Sequence, residues 1–193
     1  REALNLLEVR GLLEIEHGRG AVVSDDSTQA LRDTLGLLLR VQPRALGELL
    51  EIRQVLEVEI AGFAAERATP EDIEVMRELL DSMRSLIDVL EGYVDADVEF
   101  HAQLARSTRN RVLLRMLEPV VELLRASRRV STSMPGTARR ALEEHEAILE
   151  RVLARDAEGA RAAMRRHLAA TARDLEKAMG GHLDGSIPRA EPS

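Results

Sequence analysis

Apolar residues recur three and four positions apart along almost the whole chain from Asp25 onward, and this is the spacing of a buried stripe on an α-helix. Aromatic residues make up only 2% of the sequence, so the core has to be built from Leu, Val, Ile, Ala and Met. The abundance of Ala, Leu, Glu and Arg also favours helices. We therefore expect a mainly α fold, whose C-terminal part is an antiparallel bundle of six to seven helices.

The expected helix boundaries follow from residues that start and stop helices. Thr69 is placed to cap a helix, Pro70 occupies its first turn, and Asp72 completes a capping box. Gly92 is expected to end that helix, Pro119 to kink a later one, and Asp156 to cap the last one. The predicted helices cover about residues 27–40, 46–67, 70–91, 93–107, 110–130, 138–154 and 156–179. In the second of these, the expected buried stripe is Leu49, Ile52, Leu56, Ile60 and Phe63.

Residues 1–24 have a different pattern. A short helical stretch, "REALNLLEV", is followed by alternation at Leu13 and Ile15, a glycine turn at "HGRG" and a second short strand at "AVVS". A helix followed by a two-stranded hairpin is the last half of a winged helix-turn-helix. Because the chain opens inside this helix without an initiating Met, we expect residues 1–24 to be the C-terminal part of an incomplete DNA-binding domain. Residues 25–179 would form the helical domain, and residues 180–193 a flexible tail.

The composition excludes several classes of protein. Cysteine is absent from the sequence, which excludes disulfides, thiolate metal sites and cysteine nucleophiles. No apolar run approaches the roughly 18 residues that span a bilayer, and no secretory signal is visible, so we expect a cytoplasmic protein without membrane contact. The net charge of −7 argues against general affinity for nucleic acid, but it is compatible with a small DNA-binding head on an acidic body.

The stretch "DVEFH" places two polar side chains on an otherwise apolar helix face. Asp97 and His101 are four residues apart, so both lie on the inward stripe of their helix. His145 and His167 lie on the inward stripes of the last two helices. Buried charged groups need partners, and one carboxylate with three neutral imidazoles is a ligand set for a divalent metal.

This set of donor atoms favours a borderline transition metal. Three nitrogens and one oxygen suit Zn²⁺, with Ni²⁺ or Mn²⁺ as alternatives, whereas softer ions prefer sulfur. Four protein ligands on an octahedral ion leave two positions for water or a small oxygen ligand. The pattern alone leaves simpler interpretations open, in which each histidine is a hydrogen-bonded core residue and Asp97 forms an ion pair with His101. In contrast, His17 lies in a glycine turn and His182 in the tail.

Together these segments resemble the GntR superfamily of bacterial transcription regulators, in the FadR-like branch that carries an FCD ligand-binding domain. "REALNLLEVRGLLEIEHGRGAVV" looks like the end of a recognition helix and the wing that follows it. The resemblance covers about residues 1–179. In the helical part it is carried by "EIRQVLE" at 51–57, "DVEFH" at 97–101, "STRN" at 107–110, "EHEAIL" at 144–149 and "MRRHL" at 164–168.

The resemblance implies roles for individual residues of the helical part. It places Asp97, His101, His145 and His167 at the metal-ligand positions of the family. It places Arg53 at the position of an arginine that points into the effector pocket, although an ion pair with Glu57 is an equal alternative. Asn110 falls at the rim of the pocket, but an Asn that starts a helix is first of all a cap.

In the DNA-binding part, the resemblance matches Arg1 to a recognition-helix arginine that contacts the operator. His17, Gly18 and Arg19 match the tip of the wing, where a glycine turn allows close approach to phosphates and Arg19 can reach a phosphate or the minor groove. A solvated hairpin turn is the alternative. Residues 1–24 hold three Arg against four Glu, so this part is not basic, and the fragment is not expected to bind DNA specifically.

The function that follows is a metabolite-responsive transcription regulator rather than an enzyme. A small organic acid would bind at the open positions of the metal and pair with Arg53. The helix near residues 27–40 would transmit the resulting conformational change to the DNA-binding heads, which bind operator DNA. A homodimer is expected, because a two-fold operator needs two recognition helices at fixed spacing. The alternative is a mononuclear metalloenzyme on a helical bundle. Against it, the sequence has no zincin His pair and no Gly-x-Ser-x-Gly elbow.

Overall fold

A computed structural model describes residues 13–16, 20–23, 32–37, 45–123, 125–132 and 134–178 of the chain. Two short strands, β1 (Leu13–Glu16) and β2 (Gly20–Val23), pair antiparallel, with Leu13 opposite Val23 and Glu16 opposite Gly20. These are the strands that the alternation at Leu13 and Ile15 predicted. The helix predicted before these strands and the turn predicted between them fall outside the described residues, so the winged helix stays a prediction.

The remainder of the described chain is helical. Residues 32–37 are helical, within the helix predicted at 27–40. Seven longer helices follow in the described residues, which confirms the mainly α fold class. They are α1 (Ala45–Arg67), α2 (Pro70–Ser85), α3 (Leu90–Ser107), α4 (Arg111–Leu123), α5 (Arg125–Thr132), α6 (Thr137–Leu153) and α7 (Ala157–Ala178). None of the helices in this part of the chain is both long and apolar enough to cross a membrane.

Helix α3 lies at the centre of the bundle, where it contacts α1, α2, α4 and α5. Helix α7 packs against α1 and α6 on the other side. The core between them is mostly aliphatic, as the scarcity of aromatic residues requires, and Tyr93 and Phe100 of α3 are its two large rings. The three helices that carry the predicted ligands, α3, α6 and α7, therefore belong to one packed unit.

Side-chain caps fix where two helices begin. The Thr69 hydroxyl accepts a hydrogen bond from the Asp72 amide (3.3 Å), and the Asp72 carboxylate accepts one from the Thr69 amide (2.8 Å), which confirms the predicted capping box at α2. At α7, the carboxylate of Asp156 accepts a hydrogen bond from the Gly159 amide (2.8 Å), as the sequence predicted.

The expectation that Gly92 ends a helix was wrong. Helix α2 ends at Ser85, where the Leu86 amide donates to the Ser82 carbonyl, and Gly92 lies inside α3. A Cβ at position 92 would lie 3.0 Å from a Leu86 methyl carbon, so the absence of a side chain lets the turn before α3 approach that helix closely. The glycine therefore has a packing role.

Helices α4 and α5 both lie in the region predicted as a single helix over 110–130, and Pro119 lies within α4. Residue 124 lies outside the described residues, so the continuity of that helix and its kink at Pro119 stay predictions. One further expectation was wrong. In α1, Ile52 was predicted to be buried but is 41% exposed, because the inward face of this helix also carries Arg53 and Glu57. Arg53 and Glu57 thus occupy buried positions of α1, and the spacing of apolar residues does not reveal buried positions that carry charged side chains.

Candidate metal and effector site

Four ligand-type side chains from three helices meet in the core. Asp97 and His101 come from α3, His145 from α6 and His167 from α7, each at the helical spacing of its apolar neighbours. The sequence predicted that all four point inward, and their burial agrees. Their relative exposures are 8% for Asp97, 1% for His101, 0% for His145 and 2% for His167.

The ligand atoms of this cluster converge on one small volume. His145 Nε2 lies 3.2 Å from His101 Nε2 and 3.3 Å from Asp97 Oδ1. His101 Nε2 lies 4.0 Å from the same Asp97 oxygen. One ligand atom from each of the four residues, His167 included, falls within 4.8 Å of the other three. The four side chains therefore form one cluster rather than separate hydrogen-bonded pairs.

Two carboxylates lie behind the imidazoles. His167 Nδ1 lies 2.9 Å from Glu144 Oε2, and His101 Nδ1 is in contact with Glu57 Oε2, although that contact lacks hydrogen-bond geometry. A carboxylate beside Nδ1 holds the proton on that nitrogen and leaves Nε2 with a free lone pair, which is how metal-binding histidines are usually oriented. His145 Nδ1 has no hydrogen-bond partner among the described residues.

Two arginine–carboxylate pairs border the cluster. Arg53 and Glu57, one turn apart on α1, form a buried ion pair, with Nη2 3.4 Å from Oε2 and Nε in closer contact with Oε1. Arg128 of α5 pairs with Asp97 through Oδ2, on the side of the carboxylate away from the contact with His145. The Asp97 carboxylate thus bridges the histidines and a guanidinium.

Burial and these charges set the protonation states. Desolvation lowers the pKa of His101 and of His145, and it lowers the pKa of His167 to about 3, so all three imidazoles are neutral at pH 7. Burial raises the pKa of the Asp97 carboxyl, but the Arg128 guanidinium and neighbouring imidazoles outweigh it, and the pKa lies well below its usual range. Burial also raises the pKa of the Glu57 carboxyl, but Arg53 and His101 lower it by more, so this pKa lies well below its usual range.

The arrangement fits a divalent transition metal. Two ligand atoms that each lie about 2.1 Å from one ion are roughly 3.0–3.4 Å apart on neighbouring coordination positions and about 4.2 Å apart on opposite ones. The distances of 3.2, 3.3 and 4.0 Å between the ligand atoms of Asp97, His101 and His145 lie within this range. Neutral imidazoles and an ionised carboxylate are the protonation states that a metal needs. The simpler interpretation is a chain of hydrogen bonds in which His145 donates through Nε2 to His101. His145 Nδ1 lacks a partner among the described residues in both interpretations, as an acceptor in this chain and as a donor when Nε2 binds a metal, so it does not separate them.

A cavity of about 30 Å³ adjoins the cluster. Its walls include Arg53, Asp97, Arg128 and His167, together with hydroxyl residues of α5, α6 and α7. Arg53 also lines a groove of about 220 Å³ between α1 and α7, formed with Gly47, Leu50 and Leu168 among others. The inner cavity accepts only a group of one or two water volumes, roughly the size of a carboxylate.

The structure brings together the predicted metal ligands and Arg53, but it places Asn110 elsewhere. Asn110 caps α4, where its side-chain oxygen accepts hydrogen bonds from the amides of Val112 (3.0 Å) and Leu113 (3.3 Å). It lines a separate surface depression with Arg106 and Arg109. The predicted DNA-contacting residues, Arg1, His17, Gly18 and Arg19, lie outside the described residues.

Sequence reasoning missed three residues of this site. Glu57 was considered only as the partner of Arg53, whereas it also contacts His101. Glu144 supports His167 from 23 residues away, and Arg128 pairs with Asp97 from 31 residues away. The chain is rich in Arg and Glu, so no local pattern separates these residues from the exposed ones.

Comparisons with known proteins place the chain in a family. The FCD domain family matches residues 48–170. The HTH-type transcriptional regulator LutR of Bacillus subtilis (strain 168) is 30% identical over 192 residues, which cover 97% of this chain and 86% of LutR. The Uxu operon transcriptional regulator of Escherichia coli (strain K12) is 34% identical, with coverages of 87% and 68%. The galactonate operon transcriptional repressor of the same strain is 28% identical, with coverages of 92% and 80%.

The fold agrees with a solved structure, Streptococcus agalactiae GntR, at a TM-score of 0.75 and 24% sequence identity, over 90% of this chain and 80% of that one. These relatives are transcriptional regulators, so the expectation of a regulator rather than an enzyme is confirmed at the level of the family. The family match spans more than half of the chain. The chain belongs to the GntR superfamily of transcriptional regulators, in the FadR-like branch that carries an FCD domain.

Proposed function

We propose that the helical domain, residues 25–179, binds one divalent transition metal through Asp97, His101, His145 and His167. The single observation that carries this proposal is the convergence of four buried ligand atoms within 4.8 Å of one another. Zn²⁺ suits the three nitrogens and one oxygen best, and Ni²⁺ and Mn²⁺ are the alternatives. The ion would supply a fixed positive charge with open coordination positions next to the cavity.

The effector in this proposal is a small organic acid. A carboxylate complements both a metal ion and a guanidinium, and Arg53 and Arg128 border the same cavity. One relative is named for galactonate, which is itself a carboxylate. Arg53 is paired with Glu57 through Nε and Nη2, which leaves its Nη1 for an effector. A role for Asn110 at the rim would require the effector to extend from the cavity to the start of α4.

The acid acts as a signal only if it favours one arrangement of the DNA-binding heads over another. We assign residues 1–24 to the C-terminal part of a winged helix-turn-helix, in which Arg1 and the wing tip at His17, Gly18 and Arg19 contact operator DNA. A homodimer would present two such heads to a two-fold operator. The helical segment that includes residues 32–37 would link them to the bundle.

Calorimetric titration tests the proposal with metal-loaded and metal-stripped protein. The ligands are hydroxy-acids and dicarboxylates of two to six carbons, with their amides as neutral controls. We expect acids to bind the metal-loaded form, to bind the stripped form at least tenfold more weakly, and to lose binding on conversion to amides. Tighter binding of a neutral sugar or a lipid than of any acid would overturn the carboxylate assignment.

A further inference from the structure

We propose that Arg128, rather than Arg53, is the residue that anchors the carboxylate of the effector. This inference rests on the proposed function, because it concerns the acid that is proposed to bind beside the metal. Both arginines line the cavity and both are buried, with relative exposures of 4% for Arg128 and 1% for Arg53. They differ in how many of their N–H groups are already used.

Arg53 is engaged by a carboxylate of its own helix. Its Nε and Nη2 atoms both face the two oxygens of Glu57, in the two-pronged arrangement that suits a guanidinium and a carboxylate. A ligand that took Nε or Nη2 of Arg53 would compete with Glu57, which is 1% exposed, so Arg53 offers an effector only its Nη1. An effector that displaced this pair would exchange one buried ion pair for another and gain little.

Arg128 has unused capacity. One nitrogen, Nη1, donates to Asp97 Oδ2, whereas Nη2 is buried and has no hydrogen-bond partner among the described residues. Buried polar groups in native proteins nearly always have partners, so Nη2 at the wall of a cavity needs the oxygen of a water or of a ligand. A guanidinium carries N–H donors on both terminal nitrogens, so it can hold Asp97 and a second carboxylate together.

The charge of the site also calls for an anion. The two buried arginines are paired with Glu57 and Asp97, and Glu144 adds one negative charge behind His167. A divalent ion bound among the imidazoles would leave an excess of one positive charge in a region shielded from water. A carboxylate at Arg128 Nη2 would offset this excess and would lie beside Asp97, a proposed ligand of the ion.

The test compares Arg128→Lys with Arg125→Lys. Lysine at 128 can keep the charge next to Asp97 but lacks the second N–H arm. Arg125 is the matched control. It lies one turn earlier on α5 and pairs with Asp95 of α3, as Arg128 pairs with Asp97. It is not among the residues that line the inner cavity. Metal content, melting temperature and affinity for the tightest-binding acid are measured for each metal-loaded protein.

We expect Arg128→Lys to retain metal, to lose about 30-fold or more in acid affinity, and to discriminate less between the acid and its amide. Arg125→Lys should bind the acid like the wild type. Unchanged acid binding by Arg128→Lys would overturn the inference but leave the proposed function intact. Absence of acid binding by the metal-loaded wild type would overturn both.

Arg53→Lys gives a second measurement that does not depend on the folding of the Arg128 variant. Lysine can still pair with Glu57, so the buried carboxylate keeps a counter-charge. If Arg128 is the anchor, Arg53→Lys should weaken acid binding by much less than Arg128→Lys does. A larger loss of acid affinity in Arg53→Lys than in Arg128→Lys would identify Arg53 as the anchor and overturn the inference.

Discussion

Arg53 and Glu57 form a buried ion pair, so each side chain depends on the other for its counter-charge. Arg53→Leu would leave the Glu57 carboxylate buried beside His101 without its guanidinium. Removing one partner of a buried pair typically costs about 3–5 kcal/mol. We expect the free energy of unfolding, measured by urea denaturation of the metal-free protein, to fall by about that amount.

The control is Arg77→Leu on α2. Arg77 also pairs with a glutamate of its own helix, Glu74 (3.2 Å), but both side chains are more than half exposed. Surface pairs of this kind contribute about 0–1 kcal/mol, so this variant should be nearly as stable as the wild type. Equal losses in the two variants would show that burial of the Arg53 pair is not what matters.

The three buried imidazoles should make the metal-free protein sensitive to acid. Burial lowers each pKa from 6.5, to about 3 for His167. Between these values the unfolded chain binds protons that the folded chain does not, so the free energy of unfolding falls as pH falls. For His167 the loss begins near pH 6.5, reaches about 2 kcal/mol at pH 5 and continues toward pH 3. Urea unfolding at pH 7.5 and pH 5 measures it, and His167→Gln should show a smaller pH dependence.

At the scale of single helices, local signals in the sequence predicted starts better than ends. The capping box at Thr69 and the Asp156 cap lie where the sequence indicated, because both are contacts within one turn. A glycine is compatible both with the end of a helix and with a close contact inside one. At Gly92 the contact is with Leu86 of the preceding turn. The sequence did not distinguish these two roles, so the end of α2 was misplaced.

The capping box gives a prediction for α2. Thr69→Ala removes the oxygen that accepts from the Asp72 amide and should lower the free energy of unfolding by about 1 kcal/mol. Thr69→Ser keeps a hydroxyl at the same position and should lose less than half of that. Chemical denaturation of both variants provides the comparison, and an alanine variant as stable as the serine variant would contradict the capping role.

At the scale of the whole molecule, the site joins helices that are far apart in sequence. The inward positions of Asp97, His101, His145 and His167 could be predicted, because each lies on a stripe of apolar neighbours. The contact of Arg128 with Asp97 depends on how α5 packs against α3, and the contact of Glu144 with His167 depends on how α6 packs against α7. Helical periodicity therefore predicted which residues lie in the core but not which charged residues accompany them.

If a metal holds α3, α6 and α7 together, affinity for the ion and stability should change together. His145→Ala removes a ligand at the middle of the cluster and should lower both metal affinity and the melting temperature, because an ion that binds only the folded state stabilises it. His182→Ala, outside the described residues, should change neither. Differential scanning fluorimetry with added Zn²⁺ would show this, and identical behaviour of the two variants would contradict it.

The central claim is that Asp97, His101, His145 and His167 bind a metal, and the metal content of the purified protein tests it most directly. Elemental analysis combined with native mass spectrometry, after growth in metal-replete medium, should find about one divalent transition metal per chain. Negligible metal in that preparation, together with no rise in melting temperature on adding Zn²⁺ or Ni²⁺, would show that the four residues form only a buried hydrogen-bonded cluster.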